Sequence, residues 1–330
     1  MALKKLSLCA GLLWASVASM ATAQTPVLTV YTYDSFVSDW GPGPVVEAAF
    51  EETCNCDLQF VGAGDGAALL ARIRLEGARS DADIVLGLDT NLTAAAAETG
   101  LFAKTRVGAD YAVPGGWADD IFVPYDWGYF AFVHNVGGQA PRSFQELADS
   151  NLTIVIQDPR SSTPGLGLLL WVKHAYGDAA GQVWEGLADN IVTVTKGWSE
   201  AYGMFLEGEA DLVLSYTTSP AYHIIAEGDA GKSWAAFDEG HYMQIEVAGK
   251  LAASDQPELA DQFLEFMVSD AFQSIIPTTN WMFPAVMPAN GLPSGFPDAL
   301  DDGASLIFAP DGAAQVRDAA LDEWLSVLAQ

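Results

Sequence analysis

Basic residues are scarce in this chain. Only 14 Lys and Arg stand against 43 Asp and Glu, so the formal net charge is −29. This composition excludes nucleic acid as a partner, because neutralising phosphate groups needs a basic face. The acidity favours solubility, and its electric field also favours a cationic small ligand.

Cysteine and histidine are also rare, with three and four residues respectively. Cys9 lies in the N-terminal apolar segment, which leaves the Cys54-Asn55-Cys56 motif. A local disulfide is our leading interpretation in an oxidising compartment, although such a small ring requires a bent backbone. Two cysteines without a nearby cysteine or histidine are a weak zinc signal. A catalytic thiol is a weaker interpretation still.

No apolar run reaches the 18 residues that a membrane-spanning helix needs. The nearest approach is the segment Leu6–Ala18, which follows Lys4 and Lys5. It is followed by Ala21-Thr22-Ala23, a small-x-small cleavage pattern. These features predict a cleavable signal peptide over residues 1–23 and a soluble protein exported to the periplasm.

The remaining composition is that of a well-packed globule, with 50% apolar and 11% aromatic residues. About 300 residues after the signal peptide suggest two domains or lobes. Strand, loop and helix follow one another three times in the first hundred residues, which predicts an α/β fold with a parallel sheet. The predicted strands there are Val27–Tyr33, Asp57–Val61 and Asp83–Leu88.

Two segments have the features of strands that connect the lobes. Ile121–Asn135 is a long aromatic strand, and Ala236–Val247 contains a strand that returns. We therefore assign residues 24–125 and 246–290 to the first lobe and 126–245 to the second. Residues 291–330 are predicted to form a C-terminal wrap that ends in a helix over Ala314–Leu328.

The segment 196–222 is the central candidate for a ligand site. It is predicted to contain a helix from Ser199 to about Glu207, a buried strand over Asp211–Ser215 and a polar turn over Tyr216–Tyr222. Ligands of open α/β sheets bind at the carboxyl ends of strands. Trp198, Tyr216 and Tyr222 are therefore candidates for an aromatic cage, although packing alone could also explain them.

Two loops add polar groups to the candidate site. Gly62–Gly66 lacks the lysine of a P-loop, so its glycines favour a tight turn that presents Asp65 to the cleft. A helix N-cap role for Asp65 is equally compatible. In the second loop, Ser161, Ser162 and Thr163 precede Pro164, which predicts Thr163 as an N-cap and an anion site at the helix start. Capping alone explains these hydroxyls equally well.

Several segments between about Val27 and Pro284 have distinctive sequences: LTVYTYDSF, DWGPGPVV, ADIVLGLD, GLFAK, DPRSSTPGLGLLLW, TVTKGWSEAYG, DLVLSYTTSPAYH and NWMFP. The last of them contains Trp281 in a polar loop. These segments resemble those of the periplasmic thiamine-binding proteins of bacterial ABC importers.

The resemblance implies a two-lobed periplasmic binding protein of type II. Each lobe would hold a mixed, mainly parallel sheet flanked by helices, with two crossover hinge strands. It further implies a ligand site formed by Tyr33, Asp65, Ser161, Ser162, Trp198, Tyr216, Tyr222 and Trp281. A wider set consists of Asp34, Trp40, Asp89 and Thr163.

By the same resemblance, the ligands are thiamine, thiamine monophosphate and thiamine diphosphate. They would be captured by lobe closure and delivered by a monomer to the permease and ATPase subunits of an ABC importer. They are transported ligands, so no cofactor, metal or catalytic residue is expected. Two alternatives remain: a thiamine-degrading enzyme of the same fold, which would need a cleft cysteine, and a ferric-ion carrier, which would need adjacent tyrosines and a histidine.

Overall fold

The structure is a computed structural model that describes residues 25–328. The predicted signal peptide lies outside the described residues. Eleven strands are numbered in chain order: β1 (Val27–Thr32), β2 (Asp57–Gly62), β3 (Ile84–Asp89), β4 (Phe122–Asn135), β5 (Ile154–Gln157), β6 (Ile191–Thr195), β7 (Leu212–Tyr216), β8 (Lys232–Trp234), β9 (His241–Lys250), β10 (Phe283–Pro284) and β11 (Ser305–Leu306).

Residues 25–328 also form twelve α-helices. They are α1 (Gly43–Cys54), α2 (Gly66–Glu76), α3 (Thr93–Ala97), α4 (Phe144–Ala148), α5 (Thr163–Tyr176), α6 (Ala180–Leu187), α7 (Trp198–Leu206), α8 (Ser219–Tyr222), α9 (Pro257–Met267), α10 (Asp270–Gln273), α11 (Ile276–Thr279) and α12 (Pro310–Leu328).

The sheet order confirms the predicted two-lobed α/β architecture. The main path is β2-β1-β3-β9-β4-β7-β5-β6. Strand β1 pairs in parallel with β2 and β3, and β5 pairs in parallel with β6 and β7. Strands β4 and β9 are antiparallel to each other and to their outer neighbours. Each lobe therefore holds a mixed sheet, and the connecting strands lie between the two.

Strand β4 connects the lobes, as the long aromatic segment predicted. Its first half pairs with β9 up to Tyr129, and its second half pairs with β7 from Phe130 onward. All of its residues except Asn135 are buried, which explains its nearly continuous apolar sequence. The returning strand is β9, and it begins at His241, five residues after the start of the predicted segment. The lobe boundaries by residue number stay a prediction.

The C-terminal helix α12 packs against both lobes. It contacts α5 and α6 of the second lobe and α3 of the first. The helix starts at Pro310, four residues before the predicted start, because a proline in the first turn needs no backbone donor. Trp324 is buried on its inner face.

Cys54 and Cys56 form a disulfide, which confirms the leading interpretation of that motif. The bend that it needs is supplied by Asn55, whose φ of 52° lies in the left-handed region. The bond closes the end of α1 just before β2 begins. In residues 25–328, no helix combines the length and apolarity that crossing a membrane requires.

Candidate functional site

A cavity of about 300 Å³ lies between the two lobes. Its wall takes residues from both lobes, because the loops after β1 and β2 face those after β6 and β7. The structure brings six of the eight predicted site residues to this wall, namely Tyr33, Asp65, Trp198, Tyr216, Tyr222 and Trp281.

Trp198 is held on the wall by contacts on several sides. It is the first residue of α7, and its indole Nε1 donates to Ser215 Oγ at 2.8 Å. Its ring stacks on Tyr202, with ring centroids 5.0 Å apart, and approaches Trp40 at 6.2 Å. These contacts fix the orientation of an aromatic face at the cavity.

Tyr222 and Trp281 meet across the cavity mouth. Their ring centroids are 5.4 Å apart with an interplanar angle of 72°. A third ring does not fit between two rings in this edge contact, so stacking of a ligand between them requires one of the rings to move. Trp281 has a φ of 58°, in the left-handed region, and its N–H donates to the Ile276 carbonyl. Strain of this kind is common at ligand sites.

Asp65 lies at the N-cap position of α2, but its side chain does not cap that helix. Its Oδ2 instead accepts a hydrogen bond from Ser162 Oγ at 2.8 Å and one from the Trp198 N–H at 3.3 Å. These bonds join the two lobes. Burial raises the pKa of Asp65 to about 6, against the opposing effect of both hydrogen bonds.

Ser161 and Ser162, the other two predicted residues, do not line the cavity. Ser161 Oγ donates to the Lys196 carbonyl, and Ser162 Oγ donates to Asp65. The prediction of Thr163 as N-cap is wrong by one position, because the N-cap of α5 is Ser162 and Thr163 is already helical. Thr163 lines the cavity, and its Oγ1 accepts from the Gly66 N–H of the other lobe.

The wider predicted set divides among three places. Trp40 is on the cavity wall and 56% exposed. Asp34 lies outside it, where its Oδ1 accepts from the Gly64 N–H. Asp89 is fully buried and accepts hydrogen bonds from the Asn91 backbone and side chain.

Sequence reasoning missed eight polar residues of the wall, namely Ser35, Ser199, Tyr202, Ser219, Gln244, Glu246, Thr279 and Asn280. Gln244 and Glu246 belong to the hinge strand β9, which we had predicted without assigning it any chemistry. Glu246 accepts hydrogen bonds from Tyr33 at 3.2 Å and Tyr125 at 2.7 Å. The available signal was the alternation of these polar residues with Met243, Ile245 and Val247.

Three buried carboxyl groups lie side by side across the sheet, and we call them the carboxyl row. Glu246 of β9 is the direct register partner of Asp89 in β3 and of Asp126 in β4. Burial, followed by mutual repulsion, raises the pKa of Asp126 well above its usual range. Burial likewise raises the pKa values of Asp89 and Glu246 to about 7.

One group in residues 25–328 has the spacing of a metal site: His223, Glu227 and Asp229. It lies behind Tyr222 rather than on the cavity wall. His223 Nδ1 and Glu227 Oε2 already pair at 2.7 Å, and the Tyr222 hydroxyl donates to Glu227 Oε1 at 2.9 Å. In the described structure, the cluster thus supports a cavity tyrosine.

Curated proteins with closely similar sequences carry one common description. A thiamine-binding periplasmic protein of Escherichia coli (strain K12) is 59% identical over 304 residues, which cover 91% of this chain and 92% of that protein. A thiamine-binding periplasmic protein of Brucella melitensis biotype 1 is 49% identical, with 91% of each chain covered.

A solved structure described as a periplasmic thiamin binding protein superposes with a TM-score of 0.90 at 56% identity. The superposition covers 94% of this chain and 98% of that one. The family model described as bacterial extracellular solute-binding protein matches residues 40–274. With its two lobes, its hinge strands and the cavity between them, this chain belongs to the bacterial extracellular solute-binding protein family.

Proposed function

We propose that this protein captures thiamine in the periplasm and delivers it to an ABC importer. The observation that carries the proposal is the composition of the cavity wall. Aromatic rings from both lobes surround a floor that bears Glu246, and the described lining residues include no Lys or Arg. Thiamine joins an aminopyrimidine to a permanently cationic thiazolium, so it needs ring faces and negative potential. The names of the similar proteins agree with this ligand.

Each part of the ligand has matching groups in the cavity. The rings of Tyr222 and Trp281 suit the flat pyrimidine once they part, and Asp65 can accept from its exocyclic amine. Trp198 offers the thiazolium a cation–π contact worth about 0.5–2 kcal/mol. The start of α5, with Thr163 on the wall, is where a hydroxyl or phosphate end would lie. The monophosphate and diphosphate esters are therefore included in the proposal.

Capture works by closure of the lobes around β4 and β9. A ligand that touches both lobes stabilises the closed form, because only there are all its contacts made. Asp65 already bridges the lobes through Ser162 and Trp198, so the closed form has hydrogen bonds of its own. The permease and ATPase would then recognise the closed monomer.

We propose binding without catalysis. A thiamine-degrading enzyme would need a free cysteine in the cleft, whereas Cys54 and Cys56 are joined in a disulfide away from the cavity wall. A ferric-ion carrier would need a histidine, and none occurs among the described residues that line the cavity.

The test is calorimetric titration of protein exported to, and purified from, the periplasm of a bacterial host. Thiamine, its monophosphate and its diphosphate are titrated separately, and each ligand is recovered and analysed afterwards. Submicromolar binding of intact ligand is expected. Absence of heat with all three ligands, or recovery of cleaved thiamine, would overturn the proposal. N-terminal sequencing of the same sample tests cleavage after Ala23.

A further inference from the structure

The carboxyl row occupies an unusual place, because buried carboxyl groups normally have a cationic partner. Asp89 and Asp126 are fully buried and Glu246 is 5% exposed. Register pairing across β3, β9 and β4 puts all three on one face of the sheet. Only Glu246 reaches the cavity wall. The row is thus a buried set of carboxyl groups that is accessible to a ligand only through Glu246.

Neutral donors supply the hydrogen bonds to the row. Tyr33 and Tyr125 donate to Glu246, Asn280 Nδ2 donates to Asp126 Oδ2 at 2.5 Å, and Asn91 donates to Asp89. None of the ion pairs within residues 25–328 includes a member of the row. The row therefore lacks a compensating positive charge from the described chain.

Two members of the row lie side by side. Asp126 Oδ1 is buried and receives no hydrogen bond from the described chain. Glu246 is the direct register partner of Asp126 on the neighbouring strand. Two adjacent ionised carboxylates in a buried site repel each other, so a proton on one of them is favoured when the cavity is empty.

The other titratable groups that face the row carry no positive charge, and one of them adds negative potential. Asp65 faces Glu246 from the start of α2, and the hydroxyls of Tyr33, Tyr125 and Tyr216 surround it. These groups are neutral or negative at physiological pH. A proton, or a cation in the cavity, is therefore the available compensation.

We propose that the carboxyl row selects for a cationic ligand by proton exchange. In the empty protein the row holds a proton, and it releases this proton to solvent when the positively charged ring of the ligand enters the cavity. The charge of the site is unchanged, because one positive charge leaves as another arrives. A neutral molecule of the same shape cannot displace the proton and binds less tightly. This inference rests on the proposed function and adds a specificity determinant to it.

The test compares thiamine with a neutral analogue in which a thiophene replaces the thiazolium. Both carry the same pyrimidine, so any proton that the pyrimidine takes up cancels in the comparison. Titrations at pH 6 and pH 8.5, each in two buffers of different ionisation enthalpy, count the protons released. At pH 6 thiamine is expected to release close to one proton more than the analogue, and at pH 8.5 the difference disappears.

The affinities provide an independent readout. Linkage to one proton makes the preference for thiamine over the analogue rise with pH, by at most about tenfold per pH unit. Thiamine binding with equal proton release for both ligands at pH 6 would overturn the exchange and leave the proposed function intact. Failure of thiamine to bind at all would overturn the proposed function instead.

Amide variants locate the effect in the row. Glu246→Gln and Asp126→Asn preserve shape while removing a charge, and each is expected to lower the thiamine preference at pH 8.5 by about tenfold. Glu209→Gln, on the exposed surface and outside the cavity wall, is the matched control. Unchanged preference in folded row variants would overturn the assignment. If a variant fails to fold, the comparison of thiamine with the analogue on the unmodified protein still tests the proton exchange.

Discussion

Trp281 is a residue whose backbone and side chain both indicate a ligand contact. It is one of two non-glycine residues with positive φ in residues 25–328, and its ring contacts Tyr222 from the other lobe. A bulky residue in this region costs on the order of 1 kcal/mol or more. Backbone strain of this size is typical of positions where a side chain must be held in one place for ligand binding.

We expect Trp281→Ala to weaken thiamine binding at least about tenfold without unfolding the protein, because a ring contact and its cation–π attraction are lost. Calorimetric titration measures the affinity, and circular dichroism checks the fold. Trp281→Gly is the control, since glycine tolerates the positive φ while also lacking the ring. Equal losses in both variants assign the effect to the ring, and unchanged affinity would remove Trp281 from the site.

At the residue scale, the sequence predicted most aromatic residues of the cavity wall but not its carboxyl group on β9, Glu246. Tyr216 ends the buried strand β7 and Tyr222 lies six residues further on, so their position at the strand end was predictable from a local pattern. Glu246 was missed because its chemistry depends on the register of β9 against β3 and β4. Register between strands distant in sequence is not encoded in any one segment.

At the scale of the element, β3 is shaped by a glycine beside the cavity. Gly87 has a φ of 103° and lies where the pairing of β3 with β9 shifts between Leu86 and Leu88. A Cβ atom there would come within 2.2 Å of Tyr33 Cδ1. The missing side chain therefore creates the space in which the Tyr33 ring lies.

Gly87→Ala is expected to reduce the free energy of unfolding by about 2–4 kcal/mol, through backbone strain and overpacking together. Urea unfolding followed by circular dichroism measures the loss. Gly77→Ala is the matched control, because Gly77 also has positive φ, at 60°, but a Cβ there would meet nothing within 4 Å. A Gly87 variant no less stable than the Gly77 variant would contradict the packing argument.

Most elements were predicted to within a few residues, and the main error in the organising segment has a local cause. The segment from Tyr216 to Tyr222 was predicted as a turn, but Ser219–Tyr222 forms α8. Pro220 is compatible with both structures, since proline suits turns and also the first turn of a helix. Tertiary packing of Ala221 and His223, both buried, favours the helix.

For the whole molecule, the raised pKa values predict an uncommon dependence of stability on pH. An acid whose pKa is raised in the folded state keeps a proton that the unfolded chain has released. Its contribution to stability is present at low pH and is lost as pH rises through the folded-state pKa. Asp89 and Glu246, with pKa values of about 7, lose theirs near neutral pH.

We therefore expect the free energy of unfolding of the empty protein to fall by about 1–2 kcal/mol between pH 6.5 and pH 8. His174 and His241, whose pKa values are lowered by burial, act in the opposite direction as the unfolded chain releases its protons around pH 6.5, and they offset part of this fall. Urea unfolding at both pH values provides the measurement. Glu246→Gln should flatten the dependence, and a stability that rises over this interval would contradict the prediction.

The indoles on the cavity wall give the molecule a built-in optical reporter. Three tryptophans, Trp40, Trp198 and Trp281, line the cavity in which we propose that a ligand with a cationic aromatic ring binds. Such a ring accepts electrons from an excited indole, so filling the cavity should quench fluorescence without any added label. Because the other tryptophans among residues 25–328 do not line the cavity, their emission supplies a constant background. The decrease in intrinsic tryptophan fluorescence would thus measure the fraction of protein that has bound ligand.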